Sequence, residues 1–197
     1  MRQIMMSFIV GLCLIGAVQG QVQQGDKEIG LGFSFLFAEY GDSHETIDGY
    51  GGQFEFSRFT SDHLSVGLRL GYSAKDDMLK SSGLGGLTKN DVDLDTFNVG
   101  IVLKHHFMPD NFLIPYIGGQ LNIVYSDLDM EITTPTSRVN ASDDFTDLWY
   151  GPLLGFKVFL ADGLSLFGEY QFNLFTGQHD DMYEYEHLFL VGLLFKY

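Results

Sequence analysis

A period-two alternation of bulky apolar and small or polar residues most constrains the fold of this chain, and it recurs from about residue 28 onward. Between Ile29 and Phe37, for example, large apolar side chains occupy the odd positions, whereas the even positions are mostly Gly or Ser. This period places the two sets of side chains on opposite faces of an extended strand. No stretch after Gln21 keeps a 3.6-residue apolar period. The sequence therefore predicts an all-β protein, in which we count eight strands.

The connections between the predicted strands alternate between short and long. Three are short: Thr60–His63, His105–Phe112 and Ala161–Gly163. Four are longer and hold most of the acidic residues: Gly41–Gly49, Ala74–Asp91, Ser126–Thr146 and Thr176–Glu184. This order predicts an antiparallel, up-and-down sheet with tight turns at one end and long loops at the other.

The composition of the two faces indicates which one turns inward. The less apolar face carries mainly Gly, Ser, Asn and Gln, and charged residues make up only 19% of the chain. Such a face would make a poor water-exposed exterior, but it suits the narrow centre of an eight-stranded barrel. The bulky face is then left to contact lipid, where an open sheet edge would be costly. We therefore predict an eight-stranded antiparallel up-and-down transmembrane β-barrel, and a soluble barrel with an apolar interior is the alternative.

The first residues have the pattern of a secretory signal peptide. Arg2 gives a positive start, an apolar run follows over 7–17, and Val18-Gln19-Gly20 provides a small-residue exit before Gln21. The predicted organisation is a signal peptide over 1–20, a short N-terminal segment over 21–27 and the transmembrane β-barrel over 28–197.

Two features of the composition exclude classes of function. The one cysteine, Cys13, falls within the predicted leader, so the processed chain is expected to have neither disulfides nor thiol chemistry. The formal net charge is −15, from 26 acidic and 11 basic residues. Nucleic-acid binding depends on Lys and Arg that neutralise phosphates, so we expect no nucleic acid partner.

The last strand carries a resemblance to a known family. Gly192, Phe195 and Tyr197 place an aromatic three residues after a glycine and a terminal aromatic two residues later. This spacing resembles the C-terminal assembly signal of outer-membrane β-barrels. Three internal motifs are similar to strand motifs of small OmpA/OmpX-type and opacity-protein-like barrels: Pro115-Tyr116-Ile117-Gly118-Gly119, Gly151-Pro152-Leu153-Leu154-Gly155-Phe156 and Phe167-Gly168-Glu169-Tyr170.

The resemblance covers about residues 28–197 and implies a location and a set of partners. It implies a monomer in the bacterial outer membrane, inserted by the barrel assembly machinery and surrounded by outer-membrane lipid and lipopolysaccharide. The implied role is structural or interactive, such as envelope integrity or adhesion, with acidic extracellular loops that contact an extracellular partner. A lipid A-modifying barrel enzyme and a narrow ion-conducting barrel are the alternatives.

Six charged residues fall on the predicted inner face: Glu55, Arg69, Lys104, Lys157, Glu169 and Lys196. Counted from the turns, Glu55 and Arg69 lie at similar depth on neighbouring strands, and so do Lys157 and Glu169. A buried charge requires a partner, so we predict an internal ion-pair network in the lumen. We interpret it as a plug that fixes strand register, with a gate for slow ion leakage as the alternative.

No pattern identifies a catalytic residue, a cofactor or a metal ligand. Histidines lie near acids or Ser in three places: Ser43-His44-Glu45, His179-Asp180-Asp181 and Glu186-His187. Neighbours on a strand point to opposite faces, so this adjacency is no evidence for a triad, and we expect no enzyme. The segment Asp127–Glu131 would put three carboxylates on one face if extended. A solvated, repulsive surface is the favoured interpretation, and divalent-cation bridging to lipopolysaccharide is the alternative.

Overall fold

A computed structural model describes residues 22–40, 45–83, 86–133, 137–176 and 185–197, and the predicted signal peptide lies outside them. The strands are β1 Lys27–Tyr40, β2 Glu45–Ser61, β3 Leu64–Gly83, β4 Gly86–His106, β5 Leu113–Thr133, β6 Arg138–Ala161, β7 Leu164–Thr176 and β8 Tyr185–Lys196. Each pairs antiparallel with the next, and β8 pairs with β1, so the sheet closes into a barrel. This confirms the predicted fold class. No helix among the described residues is long and apolar enough to cross a membrane.

The two faces of each strand turn as the alternation predicts. On β1, Leu31, Phe33 and Phe35 face outward and are 50–54% exposed, whereas the intervening Ser34 and Leu36 are 1% exposed. The same outward apolar face continues on β8, where it includes Phe189, Val191, Leu193 and Phe195. The barrel therefore presents large apolar side chains to its surroundings, and its interior holds small and polar side chains together with several packed apolar clusters.

The strands extend farther at one end of the barrel than at the other. The turns that connect β2 to β3, β4 to β5 and β6 to β7 lie at one end, together with residues 22–26 and Tyr197, and we call it the turn end. At the opposite end, β3 and β4 pair as far as Gly83 and Gly86, and β5 and β6 as far as Thr133 and Arg138. We call this the hairpin end.

The long loops predicted over Ala74–Asp91 and Ser126–Thr146 are wrong, because most of these residues belong to paired strands. The acidic residues in these stretches continue the alternation of side chains along the strands instead of ending it. In Asp127–Met130, acidic residues alternate with Leu and Met at the same period of two, but the apolar side now turns inward. Leu128 packs against a buried cluster of Leu94, Val124, Phe145, Trp149 and Phe175 inside the hairpin end.

A row of aromatic side chains marks the level at which the outer face changes from apolar to acidic. Tyr72, Phe97 and Tyr125 are in register on β3, β4 and β5, and all face outward. One row closer to the hairpin tips, the outward positions are Asp95 on β4 and Asp127 on β5. An apolar exterior is favourable in hydrocarbon and an acidic one in water, so this row is the boundary between the two surroundings.

Apolar side chains also close the turn end. Val22 is 1% exposed and packs with Phe59, Ile114 and Phe159 inside the barrel. The Val22 N–H donates to the Pro109 carbonyl oxygen at 3.3 Å, which fixes the segment before β1 beneath the barrel. A layer of charged and amide side chains therefore lies between two apolar clusters.

Candidate functional site

Four of the six predicted lumen charges meet in one buried cluster near the middle of the barrel. One Arg69 nitrogen, Nη2, lies 2.6 Å from Glu55 Oε2 and 2.8 Å from Glu169 Oε1. Lys104 Nζ lies 2.9 Å from an oxygen of each of the same two carboxylates. Two cations and two carboxylates thus form a neutral group, and every member is at most 8% exposed. Such pairing offsets the large cost of burying charges in the lumen.

Uncharged polar groups add further hydrogen bonds to this cluster, although Arg69 Nε has no hydrogen-bond partner. Arg69 Nη1 donates to Gln120 Oε1 at 2.7 Å, and Tyr116 donates to Glu169 Oε2 at 3.0 Å. Gln120 Nε2 in turn donates to Gln171 and Asn173. The network therefore spans the lumen from β3 to β7 and connects strands that are not neighbours.

The other two predicted residues do not join the cluster. Lys157 donates to Glu28 at 2.7 Å rather than pairing with Glu169, because the strand tilt brings Glu28 of β1 to its depth. Lys196 lies at the rim of the turn end, where it is 3.4 Å from Asp26 and its side chain is 25% exposed. The predicted single network is thus one central cluster, one separate buried pair and one rim contact.

A further buried pair joins Lys75 and Glu186 below the apolar cluster of the hairpin end. Lys75 Nζ also lies 5.5 Å from the centre of the Trp149 ring, and Asn173 donates to Glu186 at 3.1 Å. The sequence analysis missed this pair because it assigned Lys75 to a loop and grouped Glu186 with His187. The continued alternation from Arg69 through Ser73 to Lys75 was the signal that could have identified it.

The histidine candidates do not assemble a catalytic triad in the described residues. His44 and His179 lie outside these residues, and the paired neighbours Glu186 and His187 point to opposite sides of β8. His106, inside the turn end, lies 2.9 Å from the Ser65 hydroxyl, but its Nδ1 has no hydrogen-bond partner. This Ser–His pair has no acid to orient the imidazole. Each of the two residues is only 2% exposed, so a substrate would not reach them. Among the described residues no group of three His, Cys, Asp or Glu side chains could hold a metal ion.

Carboxylates line up on the outer face of the hairpin end. Asp95, Asp127 and Asp144 are directly opposite one another on β4, β5 and β6, and all three are exposed. Asp93 and Asp129 form the next row. Desolvation by the neighbouring side chains and repulsion from Asp144 and Asp129 raise the pKa of Asp127. We call these five residues the acidic face.

The predicted C-terminal assembly signal lies along the outside and inside of β8. Phe195 and Tyr197 face outward and are 43% and 61% exposed, whereas Gly192 faces the lumen. The Tyr197 N–H donates to the Lys27 carbonyl oxygen at 3.0 Å, and Lys27 Nζ lies 5.7 Å from the centre of the Tyr197 ring. The last residue therefore takes part in the seam that closes the barrel.

A family model described as the outer membrane protein beta-barrel domain matches residues 8–196 of the chain. No curated protein matches the sequence. Three solved structures with the same fold are Ail, the attachment invasion locus protein of Yersinia pestis, Neisserial surface protein A and OprG from Pseudomonas aeruginosa. All three are 14% identical to this chain, and the TM-scores are 0.59, 0.60 and 0.56.

The similarity extends over nearly the whole of each molecule. The three matches cover 89%, 88% and 91% of this chain and 100%, 100% and 99% of the respective solved chains. Ail has also been solved in complex with the heparin analogue sucrose octasulfate. At 14% identity the likeness concerns the fold, so the role of individual residues has to be argued from this chain.

Proposed function

Because this chain belongs to the outer membrane protein β-barrel family, we propose that it acts in the bacterial outer membrane as a structural and surface-interaction protein that binds a cationic partner. In the proposed orientation the turn end faces the periplasm and the hairpin end lies outside the cell. This is the usual arrangement of barrels with short turns and long external segments. The acidic face is the observation that carries the proposal.

The acidic face is suited to binding because strand pairing holds its carboxylates in place. Asp95, Asp127 and Asp144 are direct neighbours across three strands, where opposite residues lie about 4.5–5.5 Å apart. Like charges at that spacing repel one another, so a ligand that brings positive charge gains from each of them. Strand pairing and the apolar cluster on the inner side of the same strands offset the free-energy cost of this repulsion.

The charge also indicates what the partner is not. Sucrose octasulfate, the ligand named for the Ail complex, is a polyanion, and a polyanion would be repelled by the acidic face. We therefore propose a basic peptide segment or a cationic surface as the partner. Divalent cations that bridge the face to lipopolysaccharide are the second source of positive charge.

The filled lumen supports an interaction role over transport. The central cluster joins Arg69 to carboxylates on β2 and β7, and apolar clusters close both ends. An eight-stranded barrel has an interior only wide enough for side chains, so little space is left for a solute. We propose neither a catalytic role nor a diffusion pore. We further propose that the protein is a monomer and that Gly192, Phe195 and Tyr197 direct its insertion by the barrel assembly machinery.

Binding of a fluorescent hexalysine peptide to the protein in nanodiscs tests the acidic face. We expect the triple variant Asp95→Asn, Asp127→Asn, Asp144→Asn to bind the peptide at least about tenfold more weakly than the unmodified protein, which corresponds to about 1.4 kcal/mol. The proposal for divalent cations predicts that added calcium competes with the peptide on the unmodified protein and not on the variant.

The matched control removes three charges at the turn end: Asp62→Asn, Asp110→Asn and Asp162→Asn. All three residues are exposed, so the change in net charge is the same. The control should bind the peptide as the unmodified protein does. Equal weakening in both variants would mean that only net charge matters, and the acidic face would then not be a binding surface.

A further inference from the structure

Among the strand positions whose side-chain face is described, three glycines point outward into the lipid-facing band: Gly52, Gly119 and Gly168. The inward glycines have a steric explanation. A Cβ atom on Gly118, for example, would lie 2.2 Å from the Leu103 carbonyl oxygen. At Gly168 the space is occupied, because a Cβ atom would lie 2.9 Å from the Phe156 ring. A Cβ atom on Gly119 would meet nothing closer than 3.7 Å, so a larger side chain would fit there.

The missing side chain at Gly119 leaves a groove in the outer wall of the barrel. Pro152 lies directly opposite on β6, so a glycine and a proline form the floor of the groove. Two adjoining hollows of about 500 and 730 Å³ share this floor. Together they extend from Leu64 and His105 near the turn end to Tyr150 and Leu174, between walls of Leu, Ile and Tyr side chains.

A histidine and an arginine lie where the groove meets the turn end, whereas its other polar lining residues, Gln120, Tyr150 and Tyr170, are uncharged. His105 lines the groove and stacks on His63, with ring centres 5.8 Å apart. Arg58 faces outward on β2 and is in register with Val66, which lines the hollow of about 730 Å³. Arg58 forms no ion pair within the described residues. A guanidinium on the outside of a membrane barrel is costly unless it reaches the interface or an anionic group. Imidazole N–H and guanidinium groups are donors that suit a phosphate.

We propose that this groove binds a glycerophospholipid, with one acyl chain over Gly119 and Pro152 and the phosphate beside His105 and Arg58. The lipid belongs to the leaflet at the turn end, which is periplasmic in the orientation proposed above. The groove is continuous with the lipid-facing surface, and the five residues of β5 from Ile117 to Leu121, which line it, extend about 13 Å along the strand, within one leaflet. A second barrel would present a convex wall, which fits a single concave groove poorly.

Lipid retention measured by native mass spectrometry tests this proposal, with phosphatidylglycerol as the probe and diacylglycerol as its analogue without phosphate. We expect Gly119→Leu to reduce phosphatidylglycerol binding about tenfold, which corresponds to about 1.4 kcal/mol. The control is Gly52→Leu, because Gly52 also faces outward and a Cβ there would lie 3.5 Å from the nearest atom. It should bind the lipid unchanged. Heat-modifiable migration on a detergent gel verifies that both variants are folded.

The phosphate contact has a separate test. The double variant Arg58→Gln, His105→Gln should weaken binding of phosphatidylglycerol but leave that of diacylglycerol unchanged. Unchanged binding of phosphatidylglycerol, or equal weakening for both lipids, would overturn the assigned phosphate position. Unchanged lipid retention in Gly119→Leu would overturn the groove assignment. A dimer that forms in the unmodified protein and is lost in Gly119→Leu would assign the groove to subunit contact and would also overturn it. None of these outcomes depends on the acidic face.

Discussion

Replacement of Arg69 by methionine tests how the charges in the lumen are held. Methionine keeps most of the aliphatic volume and removes a guanidinium that donates to Glu55, Glu169 and Gln120. The remaining cluster has two carboxylates and one cation, so one negative charge is left uncompensated inside the barrel. Breaking a buried ion pair in this way costs about 3–5 kcal/mol. The side chains here are at most 10% exposed, so solvent screening does not reduce that range.

A second substitution separates lost charge balance from lost packing. In Arg69→Met, Glu169→Gln the remaining pair is Glu55 with Lys104, at 2.9 Å, and the cluster is neutral again. The glutamine can still accept from Tyr116, which donates to Glu169 in the unmodified protein. We therefore expect the double variant to be more stable than the single one by about 2 kcal/mol, because the uncompensated buried charge is removed.

Urea-induced unfolding in phospholipid vesicles gives the free energies, followed by the fluorescence of the single tryptophan, Trp149. The control is Arg138→Met, which removes an exposed ion pair with Glu131 and should cost less than about 1 kcal/mol. An Arg69→Met variant that unfolds within about 1 kcal/mol of the unmodified protein would contradict the argument. A double variant no more stable than the single one would also contradict it.

Two further predictions concern the ends of the barrel. The raised pKa of Asp127 stabilises the folded hairpin at low pH, and this contribution is lost as the pH rises from 3.8, the ordinary value, through the folded-state value. Carboxyl carbon NMR should show Asp127 titrating above its ordinary value and Asp144→Asn lowering its pKa; titration at the ordinary value in both proteins would contradict this. At the other end, Tyr197→Ala should reduce the amount recovered in outer-membrane fractions while the purified protein still refolds in detergent. Unchanged recovery would remove Tyr197 from the assembly signal.

The sequence predicted the barrel because one rule is repeated in every strand. In β1 the residue type alone distinguishes an outward position, such as Phe33, from an inward one, such as Ser34. Closure of the sheet follows from the cost of an open edge in hydrocarbon. Neighbouring-strand partners were also accessible, because Glu55 and Arg69 are joined by a short turn that fixes their register. These inferences need only local sequence and a count from the nearest turn.

Ion pairs that cross the lumen could not be predicted from the sequence in the same way. Glu28 and Lys157 are 129 residues apart on β1 and β6, and their relative depth depends on the tilt and stagger of all the strands between them. No count from a single turn gives that stagger, so Lys157 was assigned to Glu169. Lys75 is not predicted for a different reason, since the polar and acidic residues that follow it favour a loop, whereas β3 continues to Gly83.

The inversion of polarity at Tyr72, Phe97 and Tyr125 explains both the error and the position of the barrel in the membrane. Below this row the outward face is apolar and above it acidic, while the register of β4 and β5 continues unchanged. The nine residues from Leu64 to Tyr72 are separated by eight intervals, which correspond to about 27 Å along the strand and about 21 Å along the axis at a tilt of about 40°. That height is close to the apolar band of about 25 Å in membrane barrels. The strands therefore pass from hydrocarbon into water without a change in their geometry, and the acidic face begins where the hydrocarbon ends.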